Sequence, residues 1–140
     1  MEHYKGFDEK SFMLGMIEAF CEMVAQDVKP LALGPIMEKD QWEVLKKACD
    51  AIAAQFKVKS HVEMPLMSSD LAPDEELEGK IVVLYYKHDE VLDNYLSLKA
   101  ESEQLKTTCS YDTAARKRIS ISLRKILGYS DDAINKIYNI

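Results

Sequence analysis

No glycine-rich phosphate loop, no Gly-x-Ser-x-Gly elbow and no Cys-x-x-Cys pair occurs in the 140 residues of this chain. The first absence removes the backbone cradle on which nucleotide-binding turns rest their phosphates. The second removes the turn that exposes a hydrolytic serine, and the third removes zinc knuckles and thioredoxin-type redox centres. Histidine is scarce as well. With only three, at positions 3, 61 and 88, acid–base chemistry near neutral pH would have to rest on His61 or His88. No apolar run approaches the roughly 20 residues that span a bilayer. The opening residues lack the basic-then-apolar plan of a secretion signal, so the chain is expected in the cytoplasm and off the membrane. A net charge of −6 gives no general attraction to nucleic acid or to anionic lipid.

What is present describes an ordinary folded domain. Apolar residues make up 47% and charged residues 30%, and a single globular domain over 1–140 can bury about 68% of its unfolded surface. Cys21, Cys49 and Cys109 form an odd, widely spaced set. The first two lie in helical patterns, where a reduced thiol packs as a small hydrophobe.

Lys80-Ile-Val-Val-Leu-Tyr-Tyr-Lys87 is the strongest local signal. Six consecutive apolar or aromatic residues fit an inner strand covered on both faces. His88-Asp89-Glu90 then supplies a helix start almost without a loop, and such a junction is where an α/β fold places ligands. Upstream, Asp8 reads as the cap of a first helix, with Phe7 and Phe12 at the staple positions. Apolar residues cover most of that helix. Ser11, Gly15, Glu18, Glu22 and Gln26 form its single polar stripe. A helix so apolar is expected to be buried on several sides, by its own domain or by a second subunit. Glu18 and Glu22 lack the Glu-x-x-His partners of a di-metal bundle and read as solvated.

Pro30 and Pro35 bracket an extended segment at 30–34. A helix over 39–56 and a strand over 58–64 follow, the strand alternating Val58, Ser60, Val62 and Met64 with Lys59, His61 and Glu63. This is a candidate βαβ unit with a right-handed crossover. Residues 65–79 form an acidic connection with a single helical turn after Pro73. Beyond the apolar strand lie a helix from Asp89, a loop at 107–110, a helix over 112–127 stopped by Gly128, and a last helix capped by Ser130. The fold class is α+β, of small α/β-like character. About three short strands form a small sheet packed by about five helices, and the C-terminal part is all helical.

Three surfaces are candidates for function. At Lys87-His88-Asp89, a parallel pairing of segment 30–34 with the apolar strand would bring Gly34 and His88 to one sheet edge. Two helix N-termini would then face a small anionic ligand, with Lys87 adding charge and His88 a switchable proton. His61 and Glu63 share one face of their strand, the geometry of a proton-relay pair. Two ligands do not complete a metal site, and no metal or cofactor is expected. The third surface is the basic helix, where Arg116, Ser120 and Arg124 line one face with Lys117 beside them and no acid occurs over 113–129. The stretch from Ile121 to Ile137 resembles a helix-turn-helix, with Gly128 at the turn and Ile134 and Ile137 at buried positions. Asp131 and Asp132 would then face the phosphates, which opposes counterion release. Pairing of the basic helix with the acidic loop 70–78 is the simpler account.

The reading favoured is a small cytoplasmic binding or interaction module, self-associating or bound to a protein partner, and non-catalytic. Helix 1, rich in methionine, motivates it, because methionine surfaces adapt to irregular partners. The alternatives are nucleic-acid binding through the basic helix 112–127 and its successor, and a ligand or enzymatic site using Lys87, His88, His61 or Glu63.

Overall fold

The structure, a computed structural model, describes residues 6–140. Six helices and three strands are found among these residues: α1 (Glu9–Ala25), β1 (Leu31–Leu33), α2 (Lys39–Phe56), β2 (Lys59–Glu63), α3 (Asp74–Leu77), β3 (Val82–Tyr86), α4 (Asp89–Thr107), α5 (Thr113–Ile126) and α6 (Asp131–Tyr138). The fold is α+β with a helical C-terminal part. No described helix is long and apolar enough to cross a membrane.

The sheet order is β1-β3-β2, so the most apolar strand is the inner one. All five β3 residues are buried. Alternation along the strand explains this. Val83 and Tyr85 enter the core formed with α1 and α2. Val82, Leu84 and Tyr86 enter the core formed with α4 and α5. Three layers result, with β3 at the centre of both cores.

Both flanking strands run antiparallel to β3. Leu31 stands opposite Tyr86 and Leu33 opposite Leu84, so the condition of a parallel pairing for segment 30–34, on which the Gly34–His88 crevice depended, is not met. An apolar run reports that both faces are covered and says nothing about the direction of its neighbours. The βαβ unit is therefore split. β1 and β2 are parallel to each other, with β3 inserted between them in the opposite sense.

Backbone polarity across the sheet follows from one bond. Gly34 N–H donates to Val83 O at 2.8 Å, so the backbone groups of Val83 point at β1. Alternation turns those of Val82, Leu84 and Tyr86 toward β2, where Glu63, His61 and Lys59 stand opposite them. Ser60 and Val62 consequently direct their N–H and C=O groups away from the sheet. Alternation along this strand does not bury its apolar set. Val62 is 46% and Met64 53% exposed, whereas Glu63 is only 5% exposed. The strand lies at the sheet edge, and α4 covers the face that carries Glu63.

Helix ends follow the local chemistry. Asp8 caps α1 through the Lys10 and Ser11 amides, but Phe7 stays 75% exposed and adds little as a staple. Met13, Ile17, Cys21 and Val24 form the buried stripe of α1, and the expected polar stripe is exposed. Phe12, Met16 and Met23 are half-buried along one flank. The helix is thus not enclosed on all sides by its own chain. The N-cap of α4 is His88, with no side-chain capping bond. Asp89 is instead the first helical residue and pairs with Lys59 at 2.6 Å.

Candidate functional site

Glu63 is the centre of the most enclosed polar cluster. Its Oε1 lies 3.0 Å from His61 Nε2, as expected for residues two apart on a strand. Its Oε2 accepts from the Tyr95 hydroxyl at 2.9 Å and from Lys99 Nζ. Tyr95 OH in turn accepts the Met67 amide at 3.0 Å. Burial, reinforced by the Glu63 carboxylate, holds the Tyr95 phenol well above its ordinary range, so it remains a donor. Tyr95 and Lys99 stand one turn apart on α4, a spacing visible in the sequence. Their partner lies more than thirty residues away, and no local pattern announces it.

Beside this cluster, the segment after Pro65, α3 and α4 outline a cleft of about 260 Å³. Lys99, Ser102 and Lys106 enter it from α4, and Asp74 and Glu78 face them. Lys106 pairs with Asp74 at 3.2 Å. Both carboxylate oxygens of Glu63 are bonded and Tyr95 is committed as donor and acceptor. The arrangement therefore fastens β2 to α4 and leaves no oxygen of Glu63 without a partner.

Lys87 and His88 belong to a different place. The Lys87 side chain leaves β3 on the α1 side and donates to Asp27 Oδ2 at 3.0 Å and to Ala25 O at 3.2 Å. A cation on the last carbonyls of α1 is favourable there. His88 Nε2 is 3.6 Å from Asp27 Oδ1. The bond from Lys87, with its charge, holds the exposed Asp27 carboxyl below its ordinary value. The two helix N-termini expected to meet here do not. The start of α2 lies by the Met37–Ile81 bridge, at the opposite end of β3 from His88. The crevice beside His88, about 510 Å³, is lined by Asp27, Glu90, Asn94 and Lys125 among others. Two carboxylates there oppose an anionic ligand. His61 and Glu63 are thus brought together, and so are Lys87 and His88, but the first pair meets Tyr95 and Lys99 and the second meets Asp27.

Two of the basic helix's five cations, Arg116 and Arg124, are turned inward, while Lys117, Arg118 and Lys125 are exposed. Arg124, only 9% exposed, donates to Asp70 Oδ1 at 2.9 Å and to the Tyr138 hydroxyl at 3.0 Å. Tyr138 closes the triangle by donating to Asp70 Oδ2 at 2.6 Å. The Arg124 guanidinium also lies 5.2 Å from the Tyr129 ring centre. Arg116 donates to Ser69 O at 2.6 Å, and the Ser120 hydroxyl accepts the Asp70 amide at 2.9 Å. Lys117 alone of the three candidate contacts is fully at the surface, with its ammonium 5.7 Å from the Tyr138 ring centre. Arg116 and Arg124 hold segment 69–70 against α5 and α6 and are not displayed as a phosphate-binding face. Among the described residues, no group of three or more histidine, cysteine, aspartate or glutamate side chains could hold a metal ion.

Comparison with protein-family models, with curated proteins and with solved structures finds no match to the chain.

Proposed function

We propose that the protein is a non-catalytic interaction module that associates with copies of itself. The observation that carries this reading is the outer side of β2. There an edge strand exposes Val62 and Met64 together with outward-directed backbone groups. Exposed apolar side chains beside an open strand edge favour association. The internal ties of the polar clusters support the same reading. Glu63, Lys87 and Arg124 each have partners within the chain. The half-buried methionine flank of α1 is a second apolar surface of the same kind. Cytoplasmic placement accords with Cys21 and Cys49, which are free thiols packed in the core.

Sedimentation equilibrium from micromolar to several hundred micromolar tests the reading. The expected result is a mass that rises with concentration toward twice that of the chain. A constant monomer mass over the whole range overturns it.

A further inference from the structure

The two edges of the sheet differ in kind. β1 has three residues and is bracketed by Pro30 and Pro35, and short length with flanking proline is how edges are protected against pairing. β2 is longer, with five residues, no bulge in its register with β3 and a proline only beyond its C-terminal end, at Pro65. Ser60 and Val62 aim their N–H and C=O groups outward along an edge where Lys59, Ser60, Val62 and Met64 are all exposed. On the α2 side this edge presents only Ser60, Val62 and Met64, without a charge to repel a second strand.

We propose that the β2 strands of two copies pair antiparallel across a two-fold axis at His61, joining the two sheets into one of six strands. This deepens the self-association reading and rests on it. The register follows from the strand itself. Backbone groups available for pairing are those of Ser60 and Val62, so Ser60 must stand opposite Val62 of the second copy, and Val62 opposite its Ser60. His61 then faces His61 of the second copy as a non-hydrogen-bonded pair, with Cα atoms about 4.5 Å apart. Lys59 comes opposite Glu63 of the second copy, but Glu63 is turned into its own chain's cluster under α4 and Lys59 is paired with Asp89, so the register rests on the backbone groups of Ser60 and Val62.

Moving the axis by one residue weakens the match either way. An axis at Ser60 sets His61 opposite a lysine and requires pairing at Val58, whose N–H is already bonded to Ala53 O. An axis at Val62 requires Met64, which lies beyond the end of β2. The axis at His61 uses the whole strand and nothing outside it. It also covers Val62, otherwise 46% exposed, with the second copy's Ser60 and Val62.

Cysteine cross-linking reads this register directly. In full-length protein carrying Cys109→Ser, which removes the exposed thiol, His61→Cys places two thiols across the axis. Oxidised glutathione accepts their two electrons and two protons, leaving one disulfide between the chains and two molecules of reduced glutathione. The expected result is a covalent dimer with His61→Cys. Ser60→Cys should give none, because position 60 and its own copy lie diagonally, beyond the roughly 7 Å limit for a disulfide. Val62→Lys, tested by sedimentation without cross-linking, should weaken the dimer about tenfold or more while leaving the monomer folded by circular dichroism.

A wild-type dimer that resists Val62→Lys overturns this pairing, and so does a covalent dimer that forms with Ser60→Cys and not with His61→Cys. The self-association reading would survive either outcome, with the α1 flank as its remaining surface. A wild-type protein that stays monomeric overturns both.

Discussion

Glu63 is a buried carboxylate whose partners come from its own strand and from α4. Removing one member of such a group leaves the others buried without their counter-charge. Glu63→Ala should therefore lower unfolding stability by about 3–5 kcal/mol, measured by urea denaturation. Adding Lys99→Met to Glu63→Met should recover part of that loss, because an uncharged pair has no stranded charge. Tyr85 presents the opposite situation. Its hydroxyl is buried with no hydrogen-bond partner, and the weakly bonding thiols of Cys49 and Cys21 lie near it. Tyr85→Phe should hold stability constant or raise it by up to about 1 kcal/mol. A loss larger than that would show that a thiol bonds the hydroxyl. The proximity of His61 to Glu63 was legible in the sequence, because strand periodicity places them on one face. Burial of Glu63 was not, since Tyr95 and Lys99 reach it only after the chain has returned through β3.

Element boundaries depend on a few residues with backbone requirements. Gly128 closes α5 at a φ of +94°, and a Cβ there would meet Pro30 Cδ at 2.9 Å. The turn between α5 and α6 therefore packs against the approach to β1. Gly128→Ala should cost about 1 kcal/mol or more in thermal or urea unfolding, from backbone strain together with that contact. Lys87 and Asp27 join the end of β3 to the end of α1. The folded-state pKa of Asp27 is depressed below its ordinary 3.8. Its stabilisation is therefore present above that value and lost as pH falls through the folded one. The stability gap between wild type and Asp27→Asn should be full at neutral pH and shrink steadily in acid below about pH 4. The helices, the caps at Asp8 and Ser130 and the inner position of β3 could be read from apolar period and capping residues. Strand direction could not, because it is set by which elements pack on each face. The same holds for the basic helix. Its charge was plain, yet Asp70 and Tyr138 lie 54 and 14 residues from Arg124, and their meeting depends on the tertiary arrangement.

At the scale of the whole molecule, association and folding are linked by mass action. A strand edge that pairs in the folded state stabilises that state in proportion to the logarithm of protein concentration. The urea midpoint of wild type should climb as concentration rises through the dimer dissociation constant, whereas that of Val62→Lys should stay flat. Equal midpoints for both at every concentration would disconnect β2 from assembly. The acidic connection and the basic helix, opposite in sign and far apart in sequence, meet within one chain through Asp70 and Arg124. That ion pair is spent on folding and is not available to recruit a second copy.

The protection of β1 by Pro30 and Pro35 limits how far growth can go. Once two copies have joined through β2, the joined sheet ends on both sides in the same dull three-residue border. Under the proposed pairing, a third chain would find no receptive strand, and the symmetry would close on itself. A molecule with one adhesive margin and one inert margin would form pairs and stop there. It would thereby be kept from the endless stacking that a sheet receptive on both sides would invite.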